Sequence, residues 1–284
     1  MTGPMTSELH KSGRKPKSLQ NGSTAIRDGD PMLTEERRRH ILATAQREGR
    51  VLVRDLSRSL GISQITIRKD LDHLQTRGLL HRSHGGALLA QPGALFDPTL
   101  QEKEKRHFIE KVRIAEAAAK LVQEGQCVML DSGTTTTAVA LALKKFSQLT
   151  IITNGVNIAA ELTGTHLDVI LIGGIVRKNS FSVVGPLAEE MVAEMHADIL
   201  FLGVDGFDLK IGLTTPNLLE SRVNRAMAGA ATKVVVVCDS TKFDRRSLSR
   251  IIPSTAIHHV ITDMNLREEI AEELRNLNVD LTLV

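Results

Sequence analysis

Residues 1–31 hold few apolar side chains, and from Thr34 the apolar positions recur at helical spacing. Thr34 is placed to cap a helix whose first turn carries Glu35 and Glu36, acids that suit the positive helix end. Gly49 stops that helix. A second, over roughly 53–60, puts Leu56 and Leu60 on one face. Gly61 breaks it, and Ser63 can cap a third helix over roughly 64–77. After Gly78, the run LLHRSHGGALLA sets two short apolar stretches around Gly85-Gly86, the pattern of a β-hairpin. Three short helices and a hairpin within 34–91 predict a winged helix-turn-helix.

Pro92, Gly93 and Pro98 mark 92–100 as a linker. A helix is expected over roughly 101–123. Beyond it, apolar runs at 127–130, 149–152, 167–172, 198–203, 233–238, 258–262 and 279–283 alternate with amphipathic or Ala-rich segments. Several are continuous Val/Ile-rich runs, as expected for strands buried on both faces. The alternation predicts parallel strands joined by right-handed crossovers, so 101–284 is expected to be an α/β domain.

Composition sharpens this division. Residues 1–91 carry 16 Lys and Arg against 9 Asp and Glu, whereas residues 92–284 carry 20 against 24. The basic first third is the part suited to a polyanion. Residues 1–31, rich in Ser, Gly, Pro, Lys and Arg, are expected to be a disordered basic tail because they cannot bury enough surface to offset chain entropy. Seven Phe with no Trp or Tyr argue against recognition of single strands by base stacking. Cys127 and Cys238 sit in apolar runs and read either as a disulfide or as buried reduced thiols, the latter in keeping with a reducing cytosol. No apolar stretch approaches the roughly 20 residues of a membrane helix, and the N-terminus lacks a signal-peptide core, so a cytoplasmic protein without membrane contact is expected.

Candidate chemistry falls in two groups. In the third helix Ile67, Leu71 and Leu74 form one stripe, which turns Gln64, Thr66, Arg68 and Lys69 outward near the helix start. That end of a recognition helix meets base edges in the major groove, where Gln pairs with adenine and Arg with guanine. An ordinary amphipathic surface helix would look the same, but the preceding short helix, the glycine turn and the basic hairpin favour DNA. Arg82 and His84 at the hairpin tip suit backbone or minor-groove contact. A metal site at His81 and His84 lacks further ligands nearby.

The second group starts at CVMLDSGTTTTAVALAL, a strand, a polar turn and a helix. Such a turn offers backbone N–H groups and the positive helix end to an anion, with hydroxyls from Ser132, Thr134, Thr135 and Thr136 beside Asp131 and Gly133. It can equally be a helix cap, and it lacks nucleotide P-loop spacing. Other strand ends supply Thr153-Asn154, Gly173-Gly174, Asp205-Gly206 and Lys242, with Arg177 and Lys178 after the glycine pair. In a parallel sheet such turns converge at the carboxyl edge, where ligands bind.

The run ISQITIRKDLDHLQTRGLLHRSHGGAL resembles the helix-turn-helix signature of the DeoR family of sugar-metabolism repressors, with Lys69 where the family usually has a second Arg. DSGTTT, TNG, GG-x-x-R, LGVDGFD and DSTKF resemble that family's sensor domain, so the likeness spans about 34–284. The resemblance implies a sensor related to ribose-5-phosphate isomerase and the CoA-transferase-like fold. It also implies a phosphate held at DSGTTT, with Asp205, Asp208, Glu220 and Lys242 bordering the sugar. GLTTPNLLESRVNRAM further resembles the amino-sugar branch, repressors of N-acetylgalactosamine utilisation.

Together these features predict a repressor that binds double-stranded operator DNA as a homo-oligomer, a dimer or tetramer. A phosphorylated sugar, a hexosamine phosphate by the branch resemblance, would release it. No cofactor and no metal are called for. The rival is a sugar-phosphate isomerase with Glu220 as base. That family's lysine-bearing glycine-rich segment before the glutamate is absent, since IGLTTPNLL stands there, so no catalytic residue is assigned.

Overall fold

The computed structural model describes residues 33–76, 79–83, 85–89, 95 and 97–284. The expected tail, His84 and residues 92–94 and 96 of the linker lie outside them.

The first unit comprises α1 (Thr34–Glu48), β1 (Arg50–Leu52), α2 (Val53–Leu60), α3 (Gln64–Thr76), β2 (Leu80–Ser83) and β3 (Gly86–Leu89). Gly49 and Gly61 end α1 and α2 in the left-handed conformation that glycine adopts without a Cβ penalty. Thr34 is not the cap the pattern suggested. It is the first helical residue, and Leu33 precedes it without a side-chain cap. α1 is held instead by tertiary ion pairs: Asp70, almost fully buried on α3, takes Arg37 Nε at 2.5 Å and Arg38 Nε at 3.0 Å. Ile67, Leu71 and Leu74 are buried as expected and pack with Ile41, Val51 and Leu80.

The hydrophobic pattern gave no hint of β1, which pairs antiparallel with β3 and makes the wing a three-stranded sheet. This pairing explains Gly85-Gly86. Gly85 has φ +80°, and a Cβ on Gly86 would stand 2.1 Å from the Val51 carbonyl oxygen. β1 can lie against β3 only over a residue without a side chain.

The expected helix at 101–123 is two helices, α4 (Leu100–Glu104) and α5 (Phe108–Ala119). α4 starts inside the expected linker with a capping box between Thr99 and Glu102. His107, at φ 52°, turns the chain between them. Lys111 Nζ donates to the carbonyls of Lys103 (2.5 Å) and Arg106 (2.6 Å), so tertiary bonds override the helical pattern at this corner.

The remaining elements are β4 (Cys127–Leu130), α6 (Thr134–Leu143), β5 (Thr150–Thr153), α7 (Val156–Leu162), β6 (Asp168–Leu171), β7 (Ile175–Val176) and β8 (Val183–Val184). They continue with α8 (Pro186–Ala193), β9 (Ala197–Leu202), β10 (Gly206–Asp208), β11 (Gly212–Thr215), α9 (Leu218–Gly229) and β12 (Ala231–Val237). β13 (Ser249–Arg250), β14 (His259–Thr262), α10 (Glu268–Asn276) and β15 (Asp280–Leu283) complete the chain. All seven expected strands enter one parallel sheet in the order β15-β14-β12-β9-β4-β5-β6. Both faces are covered, with Val128, Leu130, Val235 and Val237 in one core and Met129, Val234 and Val236 in the other. The chain winds from β4 outward to β6, then returns to β9 on the other side of β4. The gap between β4 and β9 is therefore a topological switch point, where a crevice opens at the carboxyl ends of the strands. The small strands β10, β11 and β13 form a side sheet beyond the end of β9. Cys127 and Cys238 are both free thiols.

The clamp on α1 yields the first prediction. Asp70→Ala removes the carboxylate shared by two arginines and should lower the stability of the N-terminal unit by about 3 kcal/mol, the cost of breaking a buried pair from one side. Urea unfolding followed by far-UV circular dichroism measures it, and a change below about 0.5 kcal/mol would contradict the clamp.

Candidate functional site

At the start of α3, the Ser63 hydroxyl accepts from Thr66 N at 3.2 Å and shares a 2.9 Å hydrogen bond with the Thr66 hydroxyl. Both side chains are partly spent on the helix start. Gln64, Arg68 and Lys69 are exposed, with Arg68 Nη2 donating to Gln64 Oε1 at 3.3 Å. Arg82 is braced between α3 and the wing, 3.1 Å from Asp72 and bonded to the Gly86 carbonyl. Ile65, which the amphipathic reading passed over, is 66% exposed on the same helix start. Its signal was an apolar residue off the buried stripe, and such a side chain suits a thymine methyl group.

A cavity of about 610 Å³ opens at the switch point and reaches Leu42, Ala43, Arg47 and Leu79 of the winged unit. β4 feeds it Asp131, Ser132, Gly133, Thr134 and Thr135; β9 feeds it Gly203, Val204 and Asp205; and β12 feeds it Asp239, Thr241 and Lys242. Glu220 and Asn224 of α9 reach it from the side. α6 begins there without a side-chain cap, so its first-turn amides carry the positive helix end toward the cavity. Ser132 and Thr135 are more than nine-tenths buried, yet their hydroxyls make no hydrogen bond among the described residues.

Several of the expected site residues do not line this cavity. The Thr136 hydroxyl turns inward to the carbonyls of Asp131 and Gly133. Thr153 Oγ1 donates to the Leu130 carbonyl at 2.8 Å, and Asn154 Nδ2 donates to the Val183 carbonyl at 3.2 Å. Both are completely buried within the fold. Gly173 and Gly174 follow β6, the edge strand two places from β4, too far along the sheet to meet β9 and β12. A Cβ on Gly174 would stand 2.8 Å from the Val184 carbonyl oxygen, which accounts for that glycine as packing. Arg177 stands one layer back, 2.7 Å from Glu220 and ion-paired with Asp97. Asp208 is likewise outside the cavity, paired with Arg246 at 2.7 Å.

Other lining residues had no signal in the strand pattern. Lys103, Arg106, His107 and Lys111 come from the α4–α5 corner, and Arg245 follows β12. Lys103 Nζ lies 2.6 Å from Asp205 Oδ1. Burial alone would raise the Asp205 pKa, but Lys103 and Lys242 hold it below the ordinary value. Burial pushes Lys111 down to about 8, and pushes Asp131 up to about 6. Asp131 receives N–H bonds from Gly203 (3.1 Å) and Gly133 (3.4 Å) but has no cationic partner among the described residues. Glu220 is engaged on both oxygens, by Ser182 and Arg177 at 2.7 Å each on Oε1 and by Thr215 at 3.4 Å on Oε2. A carboxylate so neutralised is poorly suited to abstract a proton. Among the described residues, no group of three or more His, Cys, Asp or Glu is placed to hold a metal ion, and no helix is long and apolar enough to cross a membrane.

A winged helix-turn-helix with a polar, outward helix start, joined to a doubly wound sheet with a cavity at its switch point, defines a DNA-binding regulator with a sensor domain. The particular family is settled by comparison. Residues 37–92 match the DeoR-like helix-turn-helix domain, and residues 106–264 match the DeoR C terminal sensor domain, so the chain belongs to the DeoR family. It is 39% identical over 253 residues to an Escherichia coli O157:H7 protein named for repression of the aga operon, covering 88% of this chain and 94% of that one. The HTH-type transcriptional regulator GlpR of Haloferax volcanii is 38% identical, over 87% of this chain and 97% of its own. GolR of Listeria innocua, also an HTH-type transcriptional regulator, is 34% identical over 89% and 99%. Among solved structures, ribose 5-phosphate isomerase A from Neisseria gonorrhoeae matches 48% of this chain and 53% of its own at 16% identity and a TM-score of 0.34. The Pyrococcus horikoshii OT3 translation initiation factor eIF-2B matches 80% and 86% at 12% identity and a TM-score of 0.40.

Asp131 supplies a pH test. Its folded pKa of about 6 stands above the reference value of 3.8, so the folded chain holds this proton more tightly than the unfolded one. The associated stability is complete below 3.8 and is lost as pH rises through about 6. Asp131→Asn cannot titrate. Relative to it, the parent should lose on the order of 2 kcal/mol between pH 4 and pH 7, read from paired denaturant titrations. Parallel pH profiles for the two proteins would contradict the burial of a charged Asp131.

Proposed function

We propose that this DeoR-family regulator represses a sugar-utilisation operon and is released from its operator by a phosphorylated sugar, a hexosamine phosphate, bound at the switch-point cavity. The carrying observation is the start of α6. Uncapped amides and the unspent hydroxyls of Ser132, Thr134 and Thr135 face a cavity whose next wall, Asp205 and Glu220, offers acceptors to sugar hydroxyls. Phosphate suits the first part and a polyol the second. The hexosamine rests on the likeness of GLTTPNLLESRVNRAM to the amino-sugar branch, and the relative named for the aga operon supports a sugar operon as target.

The same geometry supports coupling to DNA. Asp97 and Leu100, at the end of the segment that leads out of the winged unit, dock on the sensor through the Asp97–Arg177 pair and a 2.7 Å bond from Leu100 N to the Asn179 carbonyl. Lys103 reaches Asp205 inside the cavity. A ligand that takes up Asp205 or Glu220 therefore competes with the bonds that seat this segment. It shifts operator affinity by its differential affinity for the two arrangements, typically about 1–3 kcal/mol.

Operator binding at fixed salt, titrated with matched phosphorylated and free sugars, tests the reading. Galactosamine 6-phosphate should weaken binding roughly 5- to 150-fold at saturation, and galactosamine should do little. Thr135→Glu, folded by circular dichroism, should bind the operator and lose the response through charge repulsion. A sugar phosphate that binds without changing operator affinity would refute the coupling, and an equal effect from the free sugar would refute the role of α6.

For the DNA face, we infer that Gln64, Arg68 and Lys69 meet the major groove, with Arg82 holding the wing against α3. Arg68→Ala should cost roughly 1–3 kcal/mol on the operator and relax its specificity, whereas Lys69→Ala should weaken all sequences alike and reduce the salt slope by about 1. Gel shifts at three salt concentrations separate the two, and unchanged binding in both variants would remove α3 from the interface.

A further inference from the structure

The charged groups around the cavity are unevenly paired. Lys103 is held by Asp205, Arg177 by Asp97 and Glu220, and Arg246 by Asp208. Beyond the end of β12 the arrangement differs. Arg106, Lys242 and Arg245, each partly buried, line the cavity, and their side chains make no hydrogen bond or ion pair among the described residues. Arg106 lies close enough to Arg245, and Arg106 and Lys242 to Lys111, for like-charge repulsion. Lys111 stands beside them, with its ammonium fixed by two carbonyls. The carboxylate in their midst, Asp239, is turned to its own turn, where Thr241 N (3.1 Å) and the Thr241 hydroxyl hold it. Burial lowers both Lys111 and Arg245; the nearby Asp239 offsets part of that, and Arg106 adds a smaller like-charge repulsion to each. Cations gathered at such a cost are stabilised by an anion that several of them share.

We propose that this cluster is a second anion seat, so that the cavity takes a hexose or hexosamine carrying phosphate at both ends. The second seat rests on the sugar-phosphate reading of the α6 start and extends it. Only β9 separates β4 from β12 in the sheet. At ordinary strand spacing, their carboxyl ends stand roughly 10 Å apart, a span suited to a six-carbon chain esterified at its two termini. Between the two ends the wall changes character. Asp205 and Glu220, bridged by the Thr215 hydroxyl at 3.1 and 3.4 Å, and Asn224, whose Oδ1 is buried without a partner among the described residues, offer acceptors to the sugar's own donors. Donors at both ends and acceptors in the middle match a polyol with two anionic termini. A monophosphate would satisfy the α6 start and leave Arg106 and Arg245 repelling each other without an anion to share.

Calorimetry of the full chain with galactosamine 6-phosphate and galactosamine 1,6-bisphosphate tests the proposal. The bisphosphate should bind at least tenfold tighter. Arg245→Ala and Arg106→Ala should remove most of that advantage while changing monophosphate affinity less than threefold, and Arg245→Lys, which keeps the charge, should retain it. Thermal unfolding of each variant checks that the fold survives. If the monophosphate binds and the second phosphate adds nothing, or if the advantage persists in both alanine variants, the second seat is overturned and the sugar-phosphate reading stands. If neither sugar phosphate binds the parent at millimolar concentration, that reading fails and the second seat fails with it.

Discussion

The parallel sheet must reverse its direction of growth, and the rest of the sensor unit depends on that constraint. Crossovers between parallel strands are right-handed, so β4, β5 and β6 can only be laid outward with their helices on one face. When the chain returns to β9 on the other side of β4, the later helices pack on the opposite face. No connection then covers the carboxyl ends of β4 and β9. The turns after these strands and after β12 meet across open space, and Ser132, Thr134, Asp205 and Lys242 from those turns line it. A polar pocket at this position is a product of topology before it is a product of particular side chains.

Electrostatics then closes this opening from the side of the linker. Asp97, at the end of the linker, and Lys103, in α4 just beyond it, are both bonded at the sensor's edge. Asp97 meets Arg177, Lys103 meets Asp205, and Lys111 holds the corner between α4 and α5. Arg177 in turn carries Glu220, which shares Thr215 with Asp205. The carboxylates of the cavity wall and the cations of the connecting segment thus form one network, in which a change at any carboxylate is felt by the groups that seat the linker. The winged unit uses the same device on a smaller scale, with one buried carboxylate, Asp70, fastening α1 to α3 so that the outer face of α3 stays clear.

Much of this was legible along the chain because burial leaves a period in the sequence. The strands of the main sheet are buried on both faces and read as continuous Val/Ile-rich runs, the α2 helix ends at its glycine stop signal, and the stripe of Ile67, Leu71 and Leu74 betrayed the face opposite it. β1 was missed because three residues beside a helix have no period to show, and because its partner β3 is 34 or more residues away in the chain. The split between α4 and α5 was missed because both halves are good helix formers, and the turn is imposed by Lys111 reaching back to two carbonyls.

The chain by itself determined the division into a basic winged unit and an α/β unit, the set of parallel strands, and the polar turn that begins α6. Local periodicity, glycine punctuation and charge balance carry that information, since each depends on neighbours in sequence. Tertiary structure alone decided which strand ends meet. Thr153, Asn154, Gly173 and Gly174 carry suitable chemistry, but the order of strands places them at β5 and β6, away from β9 and β12. It also decided that Arg106, Lys111 and Arg245 line the same cavity as Lys242. The physical reason is that proximity across a sheet is set by strand order and crossover handedness, quantities that no window of adjacent residues encodes.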